Sequence, residues 1–235
     1  MRLVTSRLIS PRGAATGGVR PATPRLTSGR GTATGGVRLV ALHLASRRVP
    51  LAVVMLLTCA LGLRVALHGN WDAYGALQLP LFFETGCAVV IAATTASPFG
   101  DPERATGRWL PFLRLGSALA LTAIAVGALA AFTAGAPLAG GALGALRNTV
   151  GSTGIGLLCA VAFGGSLAWT GPTAYLVAGI YALYTQWHPP ALTTPWLWPA
   201  HPSSDVEAAW CAGLVFGAGL ILLMVRGSRE AKTRA

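Results

Sequence analysis

Five charged side chains fall within residues 98–114: Asp101, Glu103, Arg104, Arg108 and Arg114. Their spacing predicts a helix start. Asp101 is a good N-cap and Pro102 a good first helical residue. Glu103 then stands in the first turn, where the helix dipole favours an acid. Ala105, Trp109 and Phe112 share one face, while Arg104 and Arg108 take another. Gly107 and Pro111 keep the segment short. The pattern predicts a short amphipathic helix on a membrane surface, able to dock a partner or simply to anchor the chain. Arg64 and Glu84 are a second pair, charges inside apolar runs, where ionisable groups are expensive and functional by default. Antiparallel neighbours would bring the two to similar depth, roughly 5–9 Å below the surface at the helical rise. That suggests an ion pair. If Arg64 instead reaches the headgroups, Glu84 is left for a polar cavity with a substrate or proton-coupling role. Arg147-Asn148 stands at the outer end of a fourth run, as an interfacial cation or as the mouth of a pathway.

Other chemistry finds little support. A phosphate-binding loop needs Gly-x-x-x-x-Gly-Lys-Ser/Thr, and the only Lys is Lys232. No His-Glu-x-x-His or Gly-x-Ser-x-Gly occurs. The Ser in Val150-Gly-Ser-Thr-Gly154 has no His near its depth and reads as helix packing. His43, His68, His188 and His201 are dispersed, so no metal site is expected. Cys59, Cys87, Cys159 and Cys211 lie one to a run and read as small apolar residues. The chain is therefore expected not to be an enzyme and to hold no cofactor.

The elements that position these groups follow from composition. The 235 residues are 53% hydrophobic and 11% charged, against roughly 25% charged in soluble domains. Six apolar runs follow one another at about 49–67, 79–97, 115–134, 149–168, 170–187 and 208–225. Each approaches the roughly 20 residues that a helical span needs. The fold class is therefore all-α, a polytopic membrane protein of six transmembrane helices over 49–226. Residues 1–48 form a basic N-terminal tail with no acid, expected to be disordered, and 227–235 a C-terminal tail. Nine Arg lie in 1–48, three in 98–114, and three Arg with Lys232 after 225. The positive-inside rule puts all three segments, and both termini, in the cytoplasm of a bacterial plasma membrane. The net charge of +11 then reflects topology and attraction to anionic lipid, not nucleic-acid binding. The outer loop 188–207 carries Trp196 and Trp198, flanked by Trp187 and Trp210. It reads as an interfacial aromatic belt, with a substrate lid as the alternative. Ala123-x-x-x-Gly127-x-x-x-Ala131 and Gly213-x-x-x-Gly217 have the spacing of close helix contacts.

Glu103-Arg104-x-x-Gly107, then Leu110-Pro111 and Leu113-Arg114, between the second and third of six spans, resembles the corresponding loop of type-2 ABC exporter permeases. Leu146-Arg147-Asn148-Thr149-Val150-Gly151 and Ala168-Trp169-Thr170-Gly171-Pro172 are similar to actinobacterial proteins of that kind. Arg108 departs from the pattern, where the family often has Thr. The resemblance implies a permease subunit that works as a homodimer or pseudo-dimer with a separate ABC ATPase, which would bind ATP and Mg. It also implies that Asp101, Glu103, Arg104, Gly107, Arg108 and Trp109 form the coupling helix. The competing expectation is a non-transporting accessory or scaffold protein.

Overall fold

The computed structural model describes residues 48–69, 73–95, 110–134, 141–184 and 194–226. The regular elements among them are helical: α1 (Val49–Ala66), α2 (Ala73–Thr94), α3 (Leu110–Phe132), α4 (Gly141–Phe163), α5 (Thr170–Tyr184) and α6 (Val206–Arg226). Short 3-10 turns cover Gly165–Leu167 and Trp198–Ala200. Four helices, Val49–Ala66, Pro111–Phe132, Gly141–Phe163 and Val206–Arg226, are long and apolar enough to cross a membrane, and Gln78–Thr94 is a shorter apolar helix.

Each apolar run holds one helix, but the ends differ from those that hydropathy suggests. Helix α4 begins at Gly141, eight residues before the fourth run at 149. Its first turns are Gly, Ala and Leu around Arg147-Asn148, too polar on average to register as a span. Leu110–Phe132 is one helix, so Leu110–Arg114 is the first turn of α3 and not the end of a separate surface helix. Between α4 and α5 the chain turns at Gly164, whose φ of 97° is strained for any side chain.

Contacts fix the helix directions. Gly62 meets Phe83 and Cys59 meets Gly86, so α1 and α2 run antiparallel. Glu84 meets Asn148, and eight residues further on in each helix Ala92 meets Gly156, so α2 and α4 are parallel. Leu81 packs on Gly179 and Ala92 clusters with Ala168, which makes α5 antiparallel to α2. Gly151 abuts Ala212 and Gly154 abuts Phe216; α6 is parallel to α4. Arg64, near the end of α1, reaches carbonyls at the end of α3, so α1 and α3 are parallel. Direction alternates along the chain, and α1 begins at the end of the bundle where α6 finishes. We call this the proximal end and the opposite one distal.

Packing relies on small residues. In lipid no hydrophobic force drives helices together, so close van der Waals contact must. A Cβ on Gly154 would lie 2.6 Å from the Phe216 backbone, and one on Gly219 2.9 Å from the Gly154 carbonyl oxygen. A Cβ on Gly213, Gly217 or Gly127 would meet nothing within 4 Å, so both expected contact stripes lie on outer faces. Helix α4 is the axis: 56% of its most apolar window is buried, against 22% for α1 and α6, although its mean hydropathy of 1.2 is the lowest of the four. A second core joins α1, α2 and α3 around Leu56, Leu63, Ile91, Leu121 and Leu129.

Candidate functional site: a buried polar seam and the loop that closes it

The α2–α4 interface is polar in the middle of an apolar bundle. Glu84 is 1% exposed, Thr85 3%, and Thr149, Ser152 and Thr153 are each 0%. Helical spacing explains the grouping. Asn148 and Ser152 are four residues apart, as are Thr149 and Thr153, so they form adjacent rows on one face. That face continues into Gly156 and Ala160, which pack against Ala92. Opposite, Glu84 and Thr85 precede Ala88 and Ala92 at the same helical spacing. Asn148 hydrogen-bonds the Glu84 carboxyl. Asn148 Oδ1 and Glu84 Oε2 have no partner, so the bond runs from the amide N–H to the other carboxylate oxygen. The hydroxyls of Thr85, Thr149, Ser152 and Thr153 also lack partners. Elsewhere the helices back-bond such groups: Thr58, Thr94, Thr95, Ser117, Thr122, Thr133 and Thr173 each donate to a carbonyl three or four residues earlier. The seam hydroxyls do not.

Arg147 closes the distal end. It is 7% exposed. Nη1 donates to the Pro202 carbonyl at 2.7 Å and Nη2 to the His201 carbonyl at 2.9 Å. It also interacts electrostatically with Asp205 and Glu84. The segment it grips, 194–205, folds back onto the bundle. His201 Nδ1 lies 2.5 Å from Asp205 Oδ2, and Nε2 lies 3.2 Å from the Thr194 carbonyl oxygen. Asp205 Oδ1 accepts the amides of Glu207 and Ala208, capping α6. Burial works against the Asp205 charge, but the bonds from His201 and the two amides outweigh it and hold the carboxyl below its usual range. Within this fold-back Trp198 is 2% exposed. It fills the notch at Gly151, where a Cβ would fall 2.6 Å from the indole. Its ring lies 4.5 Å from that of Tyr175, whose hydroxyl donates to the Trp196 carbonyl at 2.7 Å. An open groove of about 540 Å³ runs beside Arg147 between Leu146, Val150 and Trp210.

Four expectations change. Arg64 and Glu84 do not pair. Arg64 Nη1 donates to the carbonyls of Phe132 and Ala134 at 3.3 Å each, a favourable place for a cation at a helix C-terminus. Glu84 cannot reach it, because the α2 face toward α1 carries Phe83 and Gly86. Glu84 also lies deeper than the hydropathy boundary implied. It is eleven residues into α2, about 16 Å along the axis. Arg147 is no outer-end cation reaching to the surface; it is in the second turn of α4, directed inward. Trp198 is a buried plug rather than part of a belt, whereas Trp196 and Trp210 are 53% and 68% exposed and suit the interface. The sequence reading missed Thr85, Thr149, Ser152 and Thr153 as a group. Their signal, hydroxyls at i, i+3, i+4 flanking Asn148, was present but read as packing. Asp101, Glu103, Arg104, Gly107, Arg108 and Trp109 lie outside the described residues, as do 1–47 and 227–235. Among the described residues no group of His, Cys, Asp and Glu is arranged to hold a metal. Set against known protein families, curated proteins and solved structures, the chain matches none.

Proposed function

We propose that the chain is a six-span membrane permease, the transmembrane subunit of an ABC transporter whose ATP is hydrolysed by a separate chain. One observation carries the permease reading: the Glu84 seam. A carboxylate and four unsatisfied hydroxyls in the core of an apolar bundle are costly. A passive anchor gains nothing from them, whereas a path for polar cargo requires them. The alternating helix directions suit six crossings with both termini on one side. Arg48, Arg114 and Arg226 stand at or near helix ends on the proximal side, which suits a cytoplasmic assignment for that side. The end of α2 and the start of α3 are proximal as well, the side on which an ATPase would push. The assignment of a coupling helix between them rests on the resemblance carried by Glu103-Arg104-x-x-Gly107. In the cycle this implies, closure of the ATPase dimer moves that segment, α2 and α3 transmit the shift, and α2 slides against α4 to open the seam.

The test is affinity purification of the full chain from its own cells. An ATPase subunit is expected to co-purify, and Glu103→Ala with Arg104→Ala to release it while the permease still folds. A monodisperse chain that retains no ATPase overturns the reading in favour of an accessory or scaffold protein.

A further inference from the structure

We propose that the α2–α4 seam is a binding site for one dehydrated monovalent metal cation, anchored by Glu84. Six buried oxygens along the seam have no partner: Glu84 Oε2, Thr85 Oγ1, Asn148 Oδ1, Thr149 Oγ1, Ser152 Oγ and Thr153 Oγ1, while the unpartnered nitrogens Arg147 Nε and Trp198 Nε1 belong to the distal closure. Such a set offers what a hard cation takes in place of water. The Asn148 amide is oriented for it, giving its N–H to Glu84 and leaving its oxygen open. The hydroxyls forgo the bonds to their own helix that comparable residues make, which leaves their lone pairs available. Charge selects a monovalent ion. The seam supplies a single carboxylate, which balances one positive charge, and its remaining oxygens are neutral. Arg147 does not neutralise Glu84 by direct contact. Its two terminal nitrogens are committed to the His201 and Pro202 carbonyls, and its charge is opposed by Asp205.

The seam also has a direction. Its polar atoms run from Arg147 and Asn148 inward to Thr153 and then stop. Beyond them Ala88, Ala92, Gly156, Ala160 and Ala168 close the proximal half with apolar contacts, each alanine 0% exposed. The ion therefore enters from the distal side, past the Trp198 segment. This deepens the permease reading and rests on its pathway. The test reads binding rather than transport or ATPase contact, so the two fail separately.

The full chain is purified in detergent, and its thermal unfolding is followed by Trp fluorescence in sodium, potassium or choline chloride at equal ionic strength. Binding of radioactive sodium is measured on the same preparation. A saturable sodium-dependent rise in Tm is expected, with one ion bound per chain. Glu84→Gln is expected to abolish both, and Ser152→Ala to weaken binding on the order of tenfold. If Glu84→Gln does not fold, Thr149→Val and Ser152→Ala keep the carboxylate and must weaken binding. Equal stability in sodium and choline means that the seam holds only water, which overturns the proposal. A response to pH without one to cations, or binding unchanged in every seam variant, overturns it too.

Discussion

Arg147 shows how much one side chain can organise. Its guanidinium makes two hydrogen bonds to the fold-back segment from 7% exposure, and the fork geometry lets one residue hold two consecutive carbonyls. Removing it leaves those carbonyls and the notch beneath them unsupported. Arg147→Ala is expected to destabilise the protein by roughly 2–4 kcal/mol, from the loss of charged hydrogen bonds and the orphaned acceptors. It is also expected to expose Trp198, read as a red shift of its emission and new quenching by an aqueous quencher. Arg147→Lys keeps the charge but not the fork, and should recover only part of the loss. Unchanged emission in Arg147→Ala would show that the segment is held by other contacts. That Arg147 was worth attention was legible, because a lone cation among outer segments broke the charge trend. Its inward direction was not, since the two carbonyls it meets are more than fifty residues away.

At the scale of elements, glycine separates the packed faces from the free ones. Gly154 and Gly213 look alike in sequence, each small-residue positions in apolar helices. In the bundle, Gly154 backs onto Phe216 while Gly213 meets open space. Gly154→Ala must separate α4 from α6 and is expected to cost about 1–3 kcal/mol as overpacking of a closed core. Gly213→Ala is expected to be neutral or slightly stabilising, since Ala favours the helix. Chemical-denaturant midpoints in one detergent measure both, and equal midpoints would contradict the assignment of faces. The stripe Ala123-x-x-x-Gly127 is likewise turned outward at Gly127. Period and residue size announce that a helix can approach another closely, but they do not say which neighbour arrives. The early start of α4 at Gly141 was hidden for a similar reason: hydropathy averages over a window, and contacts with 194–205, Gly144 to Ser203 and Arg147 to His201 and Pro202, hold turns that the average leaves out.

For the whole molecule, the alternation of helix directions makes a claim about sides. The α1 start and the α6 end share the proximal face, and 194–205 lies on the distal one. Tags at the two termini are expected to be protected together in intact cells. A cysteine at exposed Ser204, in a chain lacking its four native thiols, should react with a membrane-impermeant reagent from outside. Those thiols, at Cys59, Cys87, Cys159 and Cys211, are all free. Labelling of Ser204→Cys only after lysis would invert the proposed topology.

Composition and run length by themselves determined that the described part of the chain is helical, that four of its helices are long and apolar enough to cross a bilayer, and roughly where the helices lie. These properties follow from local solvation: each backbone segment in hydrocarbon must satisfy its own hydrogen bonds, whatever its neighbours do. The same locality made Glu84 and Arg147 conspicuous, since an unscreened charge is costly wherever the helix goes. Tertiary structure alone decided their partners. It turned Arg64 to the end of α3, set Glu84 against Asn148 rather than Arg64, drew Thr149 and Ser152 into one seam, and drove Trp198 into the notch at Gly151. Those outcomes depend on helix rotation and direction, which are fixed by contacts between residues distant in sequence and leave no trace in the spacing of any one segment.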